Sequence, residues 1–126
     1  MLALLLMLTQ DPAYETILLE AGTRTDAVLA RDLDGDGRPD LLLQSGRDLL
    51  LFPNAGGRFA PKPSVTLRLG PDVFLWTLGA LDGRRLPSLL CVGSRGVSAH
   101  DFDGRVFSAP RDLIVHPTLF EGRLAE

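Results

Sequence analysis

Cysteine, tryptophan and tyrosine are nearly missing from this sequence, and it has no basic stripe. It holds one Cys, one Trp and one Tyr in 126 residues. A single cysteine excludes an internal disulfide. Cys91 sits in the apolar run Leu89-Leu90-Cys91-Val92 and reads as a small buried hydrophobe. No base lies near it in sequence to activate it as a nucleophile. The absence of a basic stripe excludes the electrostatic footprint of a nucleic-acid binder, and no basic amphipathic helix points to a membrane surface. His100 and His116 share no metal-ligand spacing,, and both read as structural or exposed. No Gly-rich phosphate-binding motif occurs.

The longest apolar stretch opens the chain, Met1-Leu2-Ala3-Leu4-Leu5-Leu6-Met7-Leu8-Thr9. It falls well short of the roughly 20 residues a membrane-spanning helix needs, so no span is expected. It resembles the apolar core of a secretory signal, though it lacks a basic flank and a clear cleavage site. On that reading the protein is secreted, periplasmic or displayed at the cell surface.

What the sequence does contain is an internal repeat. An offset of 48 residues places Pro39 on Pro87, Phe59 on Phe107 and Arg47 on Arg95. Leu33-Asp34-Gly35 falls on Leu81-Asp82-Gly83, and Leu41-Leu42-Leu43 on Leu89-Leu90-Cys91. Each copy divides into four short apolar runs at turn residues such as Gly46, Asn54-Ala55-Gly56-Gly57 and Asp103-Gly104,. The strands expected in the first copy are 26–30, 40–44, 48–53 and 58–69. Those in the second are 73–78, 88–92, 96–100 and 105–115. No stretch carries a helical period with caps. Repeats of about 40–50 residues with four strands each are the signature of propeller blades. The expected fold is therefore all-β: two four-stranded antiparallel blades of an incomplete β-propeller.

The organisation that follows has five parts. Residues 1–10 form the signal-like segment, and 11–22 an outer strand of a missing or closing blade. Residues 23–70 are the first blade, 71–118 the second, and 119–126 the start of a third repeat. The strand within 14–19 has no blade of its own and would leave an unpaired edge. Partners are then the remaining blades of a longer chain, or further copies of this one. Trp76 falls on Val28 in the repeat and reads as a packing residue.

Net charge is −3, and four of the 16 acidic residues lie in the nine-residue loop Asp32-Leu33-Asp34-Gly35-Asp36-Gly37-Arg38-Pro39-Asp40. Four carboxylates so close repel one another unless a cation sits among them. Calcium takes 6–8 oxygens at about 2.3–2.6 Å, and carboxylates at alternate positions converge on it only when the backbone coils round the ion. Asp32, Asp34 and Asp36 supply positions 1, 3 and 5. Gly37 permits the sharp turn, the Arg38 carbonyl can turn inward, and Asp40 closes the set. An EF-hand would need Glu at position 12 and a helix after it, but Leu43 stands there in a strand-like run. In the second copy the corresponding residues are Ala80, Asp82, Arg84 and Ser88. That loop is expected to hold no ion, with an Arg84–Asp82 pair in its place. Asp101-Phe102-Asp103-Gly104 reads as a turn rather than a second site.

The loop, the apolar run after it and Asn54-Ala55-Gly56-Gly57-Arg58-Phe59 together resemble the FG-GAP/VCBS-type repeat, whose calcium loop also occurs in integrin α-subunit propellers. The resemblance covers roughly residues 13–118, and its specific motif occurs once. It implies a propeller of about seven blades, with Ca2+ held by Asp32, Asp34, Asp36, the Arg38 backbone and Asp40. It also implies a role in adhesion or in binding a protein or carbohydrate. The preferred reading is a calcium-stabilised scaffold that is not an enzyme. The rival is a non-catalytic fragment of a propeller-containing lyase or oxidoreductase with its active site on missing blades. An Asp82–Asp103 hydrolytic pair finds no support, since both residues fall in turns of the repeat.

Overall fold

The computed structural model describes residues 2–6, 16–81 and 83–115. All regular structure among them is β, in ten strands. These are β1 (Leu2–Leu6), β2 (Ile17–Gly22), β3 (Ala27–Arg31), β4 (Asp40–Ser45), β5 (Asp48–Phe52), β6 (Val65–Arg68), β7 (Val73–Gly79), β8 (Ser88–Gly93), β9 (Gly96–Asp101) and β10 (Arg111–Val115). They make two four-stranded antiparallel sheets in simple meander order, β3-β4-β5-β6 and β7-β8-β9-β10, and a two-stranded sheet, β1-β2. The chain divides into two compact units, one carrying β1–β6 and the other β7–β10 together with the loop residues Leu33–Gly35.

Leucine favours helices when nothing else decides, yet Leu41-Leu42-Leu43 and Leu49-Leu50-Leu51 are strands. Pro39, Gly46 and Pro53 cut these runs to five or six residues, too short for an isolated helix. The β4–β5 turn is a two-residue hairpin, with Ser45 opposite Asp48 and Gly46 at φ +60°. A positive φ at that position matches the right-handed twist of the strands. Side chains on both faces of this hairpin are buried, Leu42 and Leu43 on β4 and Leu49 to Phe52 on β5. An unbroken apolar run is what such double burial requires. Within the first unit, Leu19 and Ala21 of β2 pack on Leu43, Leu50 and Phe52, with Ile17, Leu41 and Phe59 around them.

Three expectations need adjustment. The fourth strands are shorter than 58–69 and 105–115. Pro61, Pro63 and Pro110 interrupt both segments, and a proline supplies no N–H to a ladder. What precedes β6 and β10 is instead a pair of isolated bridges, Ala55–Arg58 and Phe102–Phe107. The early strand lies at 17–22 rather than 14–19, with Tyr14 and Glu15 outside the described residues. Nor is that strand an orphan: it pairs antiparallel with β1, Leu6 opposite Ile17. The run resembling a secretory signal thus contributes a strand, while residues 7–10 and the expected third repeat at 119–126 lie outside the described residues.

Candidate metal centre

The acidic loop spans the gap between β3 and β4. Two glycines in left-handed conformations, Gly35 at φ +81° and Gly37 at φ +87°, coil its backbone, a conformation other residues adopt only with strain. The coil turns carboxylates inward. One oxygen each from Asp32, Asp34 and Asp40 lies within 4.8 Å of the other two. Two oxygens bound to one calcium ion stand at most about 5 Å apart, so this donor set fits a single hard cation. Asp40 is buried, only 2% exposed, whereas Asp32 and Asp34 are half-buried.

Hydrogen bonds fix these side chains. Asp32 Oδ2 accepts the Gly37 N–H at 2.8 Å, closing the loop on itself. Asp36 lies outside the three-carboxylate group; its Oδ1 accepts the Arg38 N–H at 2.8 Å. Asp40 Oδ1 accepts the Asn54 N–H at 2.8 Å. In the sequence Asn54 is legible only as a turn former. Its Nδ2 also donates to the Pro39 carbonyl at 3.1 Å, and its Oδ1 accepts the Gly57 N–H at 2.7 Å. The β4–β5 register supplies the reason. Leu41 pairs with Phe52, which brings Asp40 opposite Pro53. Proline has no N–H, so the next donor along, Asn54, reaches the carboxylate.

The corresponding loop of the second unit is organised differently. Asp82, the expected partner of Arg84, lies outside the described residues. Arg84 Nη2 donates to the Phe102 carbonyl at 2.7 Å, and Nη1 lies 3.8 Å from Asp101 Oδ2. Ser88, buried at the start of β8, donates its hydroxyl to Asp101 Oδ1 at 2.6 Å. Arg111 Nε binds Asp101 Oδ2 at 3.0 Å. The Ser88 hydroxyl and then Arg111, aided by Arg84, hold the Asp101 carboxyl below its ordinary range,. Asp101 is therefore the last residue of β9, and the turn begins after it. There Asp103 Oδ1 accepts the Val106 and Arg105 amides, which lower its pKa in turn.

The remaining candidates fall into structural roles. His100 is buried, with Nδ1 2.9 Å from the Ser108 carbonyl; His116 is outside the described residues. Cys91 is buried, and burial pushes its thiol up to about 11. Trp76 pairs with Cys91 across β7 and β8. Among the described residues no helix is long and apolar enough to cross a membrane. No family model, curated protein or solved structure matches the chain.

Proposed function

We propose that this chain is a calcium-binding β-repeat module, two blades of a β-propeller, that serves as a secreted or cell-surface scaffold for protein or carbohydrate binding and not as an enzyme. The observation that carries the metal reading is the convergence of Asp32, Asp34 and Asp40 within 4.8 Å. Those carboxylates are the core of the proposed site; the Arg38 carbonyl adds to them by its place in the loop, while Asp36, whose Oδ1 accepts the Arg38 N–H, is at most a peripheral ligand. Calcium bound there supplies positive charge that relieves the repulsion among carboxylates and ties β3 to β4. Extracellular modules work at calcium levels of about 10⁻⁴–10⁻³ M, which suits a site with one buried and several accessible ligands.

The blade reading is supported by the two successive four-stranded meanders. It is also supported by large apolar side chains left exposed on the outer strands of the second sheet: Phe74 and Leu75 on β7, and Leu113, Ile114 and Val115 on β10. Further blades or further copies of the chain would cover them. Titration calorimetry on chelator-treated protein tests the metal reading, with one calcium equivalent per chain expected. No heat and no thermal shift at millimolar calcium would overturn it.

A further inference from the structure

We infer that the 80–88 loop carries a built-in cation, the Arg84 guanidinium, at the repeat position where the 32–40 loop takes a metal. The inference rests on the calcium reading of the first loop for its contrast, and on independent geometry for the second.

At the 48-residue offset, Asp36 corresponds to Arg84, Asp40 to Ser88, Pro53 to Asp101 and Asn54 to Phe102. In the first unit the buried acid stands at the start of β4 and faces a proline. In the second it has crossed the ladder: the start of β8 carries Ser88, and its cross-strand partner on β9 is Asp101. The 2.6 Å bond between them joins the two strands where Asp40 and the Asn54 amide join β4 to the segment after β5. The loop residue has changed sign at the same time. Arg84 reaches back to the Phe102 carbonyl at 2.7 Å and toward Asp101 at 3.8 Å. It thereby ties the 80–88 loop to the end of β9. Its Nε is buried with no partner among the described residues, so the side chain is held there by the terminal nitrogens. Arg111 brings a second cation to Asp101 from β10. A carboxylate flanked by two guanidiniums and a hydroxyl offers no charge for calcium to satisfy. One acid changing strands and one changing to arginine is a coherent replacement, whereas random loss of a metal site would leave neither partner.

Hydrogen exchange on the full chain, in millimolar calcium and in chelator, tests this. Chelation should raise exchange in β4 and β5. Arg84→Gln should raise exchange of the β8 and β9 amides by about tenfold or more, equally with and without calcium. Unchanged β8 and β9 in that variant would overturn the inference. If chelation left β4 and β5 unchanged, the calcium reading of the first loop would fail, and the Arg84→Gln result would still decide the arginine's role.

Discussion

Replacing Asp40 in two ways separates its metal role from its hydrogen-bonding role. Asp40 is 2% exposed and accepts the Asn54 N–H at 2.8 Å. Asp40→Ala removes that acceptor and leaves a buried amide unsatisfied, a cost of about 1–3 kcal/mol with or without calcium. Asp40→Asn keeps an acceptor oxygen and removes only the charge. At separations near 5 Å and an effective dielectric of 20–80, two carboxylates repel by about 1–3 kcal/mol. In chelator, Asp40→Asn should therefore be at least as stable as the parent, because Asp32 and Asp34 lose a repelling neighbour. In calcium the order should reverse. An ion at a hundredfold excess over Kd stabilises the native state by about 2.7 kcal/mol, and Asp40→Asn forfeits most of that. Hydrogen exchange of the β4 and β5 amides is the appropriate measurement. An Asp40→Asn protein that kept the full calcium-dependent protection would refute the reasoning, because it would show that the buried carboxylate is not a ligand.

Other outcomes follow from the same geometry. Asp34→Asn should weaken calcium binding more than Asp36→Ala, since Asp36 lies outside the converging group and caps Arg38; calorimetry of the two variants gives the order. Phe52→Ala should destabilise the first unit by about 3–5 kcal/mol, because Phe52 is fully buried against Leu19, Leu43 and Leu50; urea melts followed by exchange at β5 measure it. Asp101 has a folded-state pKa below its unfolded value, so its contribution is present above the unfolded pKa, about 3.9, and is lost as pH falls through the lower folded value. Protection of β8 and β9 should accordingly drop on acidification below about pH 4, and Asp101→Asn should flatten that dependence. Cys91, buried with a thiol near 11, should resist alkylation at pH 8 in native protein and react once urea exposes it.

Much of this architecture was legible in the residues, for identifiable reasons. Seven of the ten strands among the described residues lie within a few residues of where the sequence puts them, because Pro39, Gly46, Pro53 and their counterparts set the boundaries and the repeat lets each copy check the other. The fourth strands were drawn too long because apolar residues at 59, 65, 67 and 69 suggest continuity, while Pro61 and Pro63 remove donors that an apolar pattern does not register. Asp32, Asp34 and Asp40 were legible as ligand candidates because alternation along a glycine-coiled loop needs only local geometry. Asn54 and Asp101 were not, because each acts across a ladder. Asp40 meets Asn54 through the 41–52 register, and Ser88 meets Asp101 through the 88–101 register; neither pairing can be read along the chain. An acid that moves from one strand to its neighbour looks, in an aligned repeat, like a site lost at Ser88 and an unrelated acidic turn gained at Asp101. Only the register shows that the two changes are one, and with Arg84 they describe a loop whose positive charge is covalently attached.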